Sequence, residues 1–518
     1  MRLSTKMIDL QLFNSIFYII LLLIREHVCH FEEEEVPSVL LISMDGFRHD
    51  YIERAKKSGR ATPNFDIFIQ NGVKTERGMK PAYISSTATN HYSIATGLYA
   101  ETHGIIHNLF CEPDLKDCYD FENHTDQSES KWYKGTPIWI TNELNPDKNY
   151  RSGVYQWIGG EAEFNNRKAS DSVIYGYANH TIPWEVRVDT VLSWFTDHNS
   201  PINLGLLYFP EPDMVGHHFG PNSFELYDKI AELDKNLGYL IESLEKHELS
   251  DRINVIITAD HGMTEKKPGC DIYLEDILKD PSIYKVTGQN PILHVWPEKG
   301  KEEEIYNTLK SYSGHNSQYM NVYRKSEVPE DYHYSHSERI APIVVEATLG
   351  ADVIPVHKPQ INGSKPYKGG HGYNNSEPDM FPFFIAKGPA FKQGYVSTTT
   401  FSNVDIYSLI CEILKLEPAV TNGSLHIIGE LLLQPKVSHN TFTATSITFI
   451  LSVLLCACFA AVFTIVACRH HRRHRLRHRR HLNSHELSQS IADEGRHSGL
   501  STRLLTESDF DDEDELLS

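Results

Sequence analysis

The chain is short of positive charge. Its 518 residues include 49 Lys and Arg against 69 Asp and Glu, which gives a formal net charge of −20 at pH 7. A groove that binds nucleic acid neutralises phosphates with Lys and Arg, so this balance disfavours nucleic acid as a partner. The densest basic run, residues 469–481, directly follows a long apolar segment. Orienting that segment in a membrane is a simpler role for the run than nucleic-acid binding or nuclear localisation.

Internal repeats, low-complexity tracts and long Pro/Gly/Ser linkers are all absent from the sequence between residues 36 and 435. A chain of several domains usually shows such boundaries. We therefore predict one large domain over residues 30–435, followed by a short polar stalk at residues 436–446.

Cysteine is scarce, with eight in the chain. Four lie outside the two apolar segments and the predicted cleavage site: Cys111, Cys118, Cys270 and Cys411. An even number in an oxidising compartment is typical of disulfides, and the closely spaced Cys111 and Cys118 are the first expected pair, with the connectivity otherwise open. Five glycosylation sequons fit an extracellular domain. They begin at Asn123, Asn179, Asn362, Asn374 and Asn422.

Long hydrophobic runs are limited to two, one near each end of the chain. Residues 14–24 form an apolar run after Arg2 and Lys6, which predicts a signal peptide over residues 1–29. Residues 447–468 contain no charge over 22 residues, enough for a transmembrane helix. The seven arginines at residues 469–481 predict a cytoplasmic flank.

The topology expected from these runs is a single-pass type I protein of the plasma membrane. Residues 30–435 are then extracellular and residues 469–518 cytoplasmic. In the acidic tail, Asp512, Leu516 and Leu517 resemble a dileucine signal for sorting adaptors, and a disordered, solvated tail is the alternative.

Continuous apolar runs in the large domain predict strands buried on both faces. They lie at residues 38–43, 202–209 and 252–258. Helical periodicity between them, clearest at residues 224–247, alternates with these strands. The pattern predicts an α/β fold with a mostly parallel sheet flanked by helices.

Acidic side chains follow each of the three predicted strands. Asp45 follows the first, Asp213 the second, and Asp260 with His261 the third. The carboxyl ends of parallel strands meet at one edge of a sheet, where sites form. Two further histidines, His217 and His371, complete a set of carboxylate and imidazole groups that suffices for two zinc ions.

Four hydroxyl side chains precede a predicted helix that follows the first strand: Ser85, Ser86, Thr87 and Thr89. Taken alone, such residues ordinarily cap the helix. One of them serving as a nucleophile is the alternative.

Six motifs between residues 36 and 435 make this chain resemble a known family. They read "SMDGFRHDY", "TNHYSIATGLYAETHGIIHN", "WYKGTPIW", "EPDMVGHHFGP", "ITADHGM" and "GGHGY". Their order is that of the ecto-nucleotide pyrophosphatase/phosphodiesterases of the alkaline phosphatase superfamily. The chain resembles the short, membrane-anchored branch of that family.

The resemblance implies residue roles and a reaction. One zinc ion would be held by Asp213, His217 and His371, and the other by Asp45, Thr87, Asp260 and His261. Thr87 would be the nucleophile and form a phosphothreonine, with Asn108 and the N–H of Ala88 stabilising the transition state. The implied activity is hydrolysis of phosphodiester and phosphoanhydride bonds in extracellular nucleotides.

The substrate pocket implied by the resemblance includes Asn108, Trp157, Glu161 and Tyr177, and Tyr175 is the alternative to Tyr177 as an aromatic contact. At two positions where nucleotide-cleaving members carry aromatic residues, this chain has Ala88 and Ala178. A phosphodiesterase of choline phospholipids and a non-catalytic ectodomain for adhesion or signalling are therefore the alternative functions.

Overall fold

The computed structural model describes residues 36–175, 181–316, 318–357, 366–433, 453–454 and 457–479. The described residues up to 433 form one compact unit, and the described residues after 433 belong to a second. The predicted signal peptide, the predicted stalk and the sorting signal at Asp512, Leu516 and Leu517 lie outside the described residues.

The centre of the first unit is an eight-stranded sheet, counted over the described residues. Five neighbouring strands run parallel, and the strand Phe384–Lys387 joins them in the antiparallel sense. From one edge to the other the strands are Tyr395–Ser397, Val73–Thr75, Phe384–Lys387, Ile253–Thr258, Ser38–Met44, Leu204–Phe209, Ser152–Tyr155 and Asp171–Val173.

The middle strands are apolar throughout because both of their faces are covered. In Ser38–Met44, Val39 and Leu41 pack into one hydrophobic core, whereas Leu40 and Ile42 pack into a second core on the other face. Alternate side chains of a strand point to opposite faces, so a continuous apolar run marks burial on both sides. The predicted α/β fold with a mostly parallel sheet is confirmed.

Helices cover both faces of this sheet. The longest, Phe224–Lys246, begins at Ser223, whose hydroxyl accepts a hydrogen bond from the N–H of Leu226 at 3.1 Å. The α-helices of the first unit are Tyr51–Lys57, Pro63–Gln70, Thr87–Thr96, Ala100–His103, His124–Ser128, Ile138–Glu143, Trp184–Phe195, Asp213–Phe219, Phe224–Lys246, Leu274–Ile277, Glu302–His315, Asp405–Leu414 and Leu425–Ile428.

A second sheet, antiparallel and four-stranded, lies within the same unit. Its strands, in spatial order, are Tyr284–Gln289, Ile292–Pro297, Ile343–Ala347 and Met320–Arg324. Together with the helix Glu302–His315 it encloses a separate hydrophobic core. We did not predict this sheet from the sequence, because strands such as Tyr284–Gln289 are half-exposed and carry no continuous apolar run.

Three short two-stranded pairings complete the unit. They are Leu109–Cys111 with Cys118–Asp120, Thr264–Glu265 with Gly369–Gly370, and Asp271–Tyr273 with Asp352–Ile354. In the first, Cys111 and Cys118 lie opposite each other and form the expected disulfide, which confirms that pairing. Cys270 and Cys411 are free thiols.

The second unit is described only at residues 453–454 and 457–479, which are helical. Over the described residues, no helix has both the length and the hydropathy that crossing a bilayer requires. The predicted transmembrane span, residues 447–468, falls partly on residues 447–452 and 455–456, which lie outside the described part of the chain.

Candidate active site

Three buried carboxylates meet where the central strands end. Asp45 directly follows Ser38–Met44, and Asp260 lies two residues after Ile253–Thr258. Asp213 begins a helix after the strand Leu204–Phe209, and its N–H donates to the carbonyl of Asp45 at 3.0 Å.

Gly46 allows this close approach of the Asp45 and Asp213 segments. Its φ is +67°, and a Cβ atom at this position would lie 2.8 Å from Asp213 Oδ1. A side chain there would both strain the backbone and collide with the carboxylate. The N–H of Gly46 also donates to Asp260 Oδ1 at 3.1 Å, which joins all three segments.

Three histidines are fixed with the same ring nitrogen turned inward. Nδ1 of His217 donates to the carbonyl of Gly369 at 3.0 Å, that of His261 to Gly262 at 2.8 Å, and that of His371 to Ser85 at 3.1 Å. A carbonyl can only accept, so Nδ1 carries the proton in each ring. Nε2 is then left as a lone-pair donor, the arrangement typical of a metal-binding histidine.

The inward nitrogens face the carboxylates at short range. His261 Nε2 lies 3.1 Å from Asp260 Oδ2 and 3.4 Å from Asp45 Oδ1. His217 Nε2 lies 3.2 Å from Asp213 Oδ2, and His371 Nε2 lies 3.7 Å from Asp213 Oδ1.

We name these six residues the rim: Asp45, Asp213, His217, Asp260, His261 and His371. The ring planes of His261 and His371 stack with centroids 3.6 Å apart, so the two predicted ligand sets adjoin. The structure thus brings together every residue predicted to hold metal, including Thr87.

The rim fits divalent cations by a further observation. One oxygen each of Asp45, Asp213 and Asp260 is buried, and none of the three accepts a hydrogen bond from any described residue. A buried carboxylate oxygen without a donor is costly unless a cation satisfies it. Oxygen and imidazole ligands in this number and arrangement suit two zinc ions.

The charges of the rim perturb one another strongly. Burial, followed by the carboxylates of Asp260 and Asp213, raises the pKa of Asp45 well above its ordinary value. Burial opposes ionisation of Asp213 too, but His217 and its neighbours lower the pKa of that carboxyl to about 2. Neighbouring carboxylates whose pKa values are shifted in opposite directions are typical of a functional site. A bound cation would offset the repulsion that keeps all of them from ionising together.

The four hydroxyls have different partners, and two of them, Thr87 and Thr89, lie within the helix rather than before it. Thr87–Thr96 begins after Ser86, whose side chain makes no capping bond; its Oγ donates to Thr89 Oγ1 at 3.2 Å. Ser85 Oγ donates to the carbonyl of Tyr373 at 2.7 Å. Thr87 Oγ1 instead lies 3.3 Å from His261 Nε2, at the rim.

Asn108 lies beside Thr87, but its bonding differs from the expected arrangement. The N–H of Ala88 donates to Asn108 Oδ1 at 2.9 Å, so the two groups bind each other rather than standing separately. Because Oδ1 accepts this bond, the amide NH₂ of Asn108 is the donor available at the cavity that Asn108 lines.

His107 anchors Asn108 to the second sheet. Its Nδ1 accepts from the N–H of Leu109 at 3.4 Å, which places the ring proton on Nε2. Nε2 then donates to the carbonyls of Gln289 at 3.1 Å and Ile292 at 3.2 Å, at the hairpin of that sheet. The sequence offered one signal for this role, which is adjacency to Asn108.

A cavity of about 390 Å³ opens over the rim and Thr87. Its far side comes from elements remote in sequence, and we name these residues the outer wall: Asp120, Phe121, Glu122, Tyr175, Gln289 and Asn290. Phe121 and Tyr175 present aromatic rings whose centroids are 5.4 Å apart. We did not assign Phe121 a role from the sequence, since its place depends on a bond from its N–H to the carbonyl of Asn108 at 2.8 Å.

Two of the predicted pocket residues, Trp157 and Glu161, lie away from this cavity, whereas Asn108 and Tyr175 line it. Trp157 is buried beneath the helix Thr87–Thr96, where its indole N–H donates to the carbonyl of His91 at 3.1 Å. Glu161 accepts from the N–H of Tyr175, so it supports the outer wall from behind. Neither lines the cavity. Tyr177 and Ala178 lie outside the described residues.

The sequence of residues 39–374 matches the family model described as type I phosphodiesterase/nucleotide pyrophosphatase. The chain belongs to this family. Hydrolysis of phosphodiester and pyrophosphate bonds follows as its class of reaction.

Individual relatives cover most of the first unit. A bis(5′-adenosyl)-triphosphatase of Xenopus laevis is 37% identical over 391 residues, 75% of this chain and 80% of that protein. Ectonucleotide pyrophosphatase/phosphodiesterase family member 5 of Homo sapiens is 36% identical over 400 residues, 77% of this chain and 79% of that protein. Family member 7 of Mus musculus is 31% identical over 429 residues, 81% and 92% of the two chains.

The fold also matches solved structures. Murine ectonucleotide pyrophosphatase/phosphodiesterase 5, an inactive threonine-to-alanine variant in complex with AMP, superimposes with a TM-score of 0.69 at 35% identity. The match covers 77% of this chain and all of that one. The human family member 5 gives the same TM-score and identity.

Proposed function

We propose that this protein is a zinc-dependent phosphodiesterase and pyrophosphatase of extracellular nucleotides that works through a phosphothreonine at Thr87. The observation that carries the proposal is the position of Thr87 Oγ1, 3.3 Å from His261 Nε2, at a cavity that four of the six rim residues also line. Two zinc ions bound at the rim would act as Lewis acids toward the threonine oxygen and the leaving oxygen.

Thr87 and Asn108 have separate roles in a reaction of two steps. In the first step a bond forms between Thr87 Oγ and phosphorus while the bond to the leaving oxygen breaks. In the second, water attacks phosphorus and restores the Thr87 hydroxyl. The NH₂ of Asn108 donates to a phosphoryl oxygen in both steps and thereby stabilises the charge that develops there.

Nucleotides are supported as substrates by the relatives and by the outer wall. One relative is named a bis(5′-adenosyl)-triphosphatase, and one structural neighbour holds AMP. The rings of Phe121 and Tyr175 line the cavity and offer an aromatic surface for a nucleobase, whereas the residue after Thr87, where an aromatic residue is expected, is the buried Ala88.

A choline phospholipid is the second candidate substrate, favoured by the same wall. Asp120 and Glu122, the sequence neighbours of Phe121, line the cavity with it. An aromatic face beside negative charge can also hold a quaternary ammonium group.

A cell-surface location is proposed from the two apolar runs of the sequence. A signal peptide at residues 1–29 and a span at residues 447–468 would place the site outside the cell on a type I protein. Intact cells are then expected to hydrolyse added nucleotide. Activity that appears only after permeabilisation would reverse this orientation.

One assay tests the chemistry. Purified protein is incubated with ATP, diadenosine triphosphate, a nitrophenyl nucleoside monophosphate and nitrophenyl phosphocholine, with and without a chelator. We expect turnover of the nucleotides, loss of turnover on exhaustive chelation, and recovery with zinc. Turnover of nitrophenyl phosphocholine alone would favour the lipid substrate. Undiminished activity in protein that contains less than one zinc per chain would reject the metal mechanism.

A further inference from the structure

Lys266 is the one lysine or arginine among the described residues that line the cavity. It follows the strand Thr264–Glu265, which pairs with Gly369–Gly370 immediately before His371. This pairing holds Lys266 beside the His371 part of the rim.

The side chain of Lys266 lies over Gly370. A Cβ atom built at Gly370 would be 2.9 Å from Lys266 Cε, so a larger residue at 370 would displace the lysine. Lys266 Nζ lies 2.8 Å from Asp352 Oδ2, and Asp352 Oδ1 accepts from Asn290 Nδ2 at 2.7 Å. Asp352 therefore holds two cavity-lining side chains from behind and fixes where the ammonium group lies.

Lys266 and Thr87 adjoin different histidines of the rim. Thr87 contacts the rim at His261, whereas Lys266 adjoins His371, and the neighbouring Gly369 carbonyl holds His217. In an in-line displacement the leaving oxygen departs opposite the attacking oxygen. With Thr87 attacking from beside His261, the leaving group would depart toward the His217 and His371 side of the rim.

Charge distinguishes Lys266 from the acidic residues of the outer wall. Those residues are Asp120 and Glu122, next to Phe121, whose N–H binds the carbonyl of Asn108. An additional phosphate would be repelled by the carboxylates and attracted by the ammonium group.

We propose that Lys266 binds a phosphate carried by the leaving group and so gives the enzyme a preference for phosphoanhydrides over diesters whose leaving group lacks phosphate. The inference rests on the proposed function, since it assigns one more residue to the same cavity. The substrates favoured are nucleoside triphosphates and dinucleoside polyphosphates.

The test compares Lys266→Met with Lys267→Met, a matched control because Lys267 is exposed and does not line the cavity. The readout is the ratio of kcat/KM for ATP or diadenosine triphosphate to that for a nitrophenyl nucleoside monophosphate. We expect Lys266→Met to lower this ratio roughly 10- to 100-fold, the range for losing a charged hydrogen bond. Lys266→Arg should restore most of it, and Lys267→Met should leave it unchanged.

A binding measurement separates this inference from the reaction itself. In a Thr87→Ala background, calorimetry compares α,β-methylene-ADP with AMP. Lys266 should favour the diphosphate analogue, and Lys266→Met should remove that advantage. The assignment would be overturned if Lys266→Met left the ratio of kcat/KM between the two substrate types unchanged. It would also be overturned if Lys266→Met weakened the affinity for both ligands equally. If the unsubstituted protein hydrolyses none of these substrates, the proposed function fails, and the binding comparison still decides the role of Lys266.

Discussion

The rim and the outer wall meet at one cavity but are built in opposite ways. Asp45, Asp260 and His261 of the rim are at most 3% exposed and lie within three residues of the ends of central strands. The wall residues Glu122 and Gln289 are exposed and come from a short hairpin and from the second sheet. Chemistry at the end of a central strand is fixed by the fold, whereas an exposed peripheral wall is where substrate preference varies.

The largest expected effect is at the rim. Thr87→Ala should lower kcat by at least about 1,000-fold, or ~4 kcal/mol of barrier, because no covalent path remains. Its melting temperature should change little, since the Thr87 side chain caps nothing. Steady-state rates, thermal melts and acid trapping of phosphorylated enzyme measure this.

Ser86→Ala is the matched control, because Ser86 lines the same cavity but donates to Thr89. We expect it to retain most activity and the trapped phosphate. Retention of more than about a tenth of the rate in Thr87→Ala, ~1.4 kcal/mol or less, would show that another group is the nucleophile.

Removal of one rim ligand should be the next largest effect. Asp213→Asn keeps the shape of the side chain but weakens its bond to a cation, so about one zinc per chain should be lost, with a fall in kcat/KM of at least about 100-fold. Elemental analysis, carried out together with kinetics, distinguishes the effect of a rim substitution from that of a wall substitution, because wall variants should keep their full metal content. Normal zinc in Asp213→Asn would contradict the ligand assignment.

At the wall, Phe121→Ala should weaken nucleotide binding. Loss of a stacking face costs about 1–3 kcal/mol, so KM for ATP should rise roughly 10-fold while kcat changes much less. Phe121→Tyr, which keeps the ring, is the control. If Phe121→Ala instead affected nitrophenyl phosphocholine and spared ATP, the wall would be a choline site.

The smallest expected effect concerns the link between the two regions. His107→Ala removes the donor to two hairpin carbonyls, which should cost about 1–3 kcal/mol of stability. It should lower kcat several-fold, on the order of 1 kcal/mol of barrier, through the loosened Asn108. His107→Gln places an amide donor near Nε2 and should restore kcat. A fall in stability without any change in kcat would limit His107 to a structural role.

The same contrast decides what the sequence could predict. Asp45, Asp213, Asp260 and His261 were found because a strand end is a local feature that an apolar run marks. Phe121 and Lys266 were missed, since their place depends on pairings with residues far along the chain. Trp157 was assigned to the pocket by resemblance alone. In the structure it lies in the core, where its indole N–H donates to the carbonyl of His91.

The hydrogen bond from His371 Nδ1 to the carbonyl of Ser85 connects a ring to the backbone two residues before Thr87. If the backbone at Thr87 moves when the side chain is phosphorylated, the movement would be transmitted through two peptide units to the carbonyl of Ser85. It would thereby change the hydrogen bond made by the Nδ1 proton of His371. The imidazole Nδ1–H resonance of His371 therefore provides an NMR probe that reports on the state of Thr87 during the reaction. Its chemical shift, followed by NMR, should alternate between two values as the threonine is modified and released.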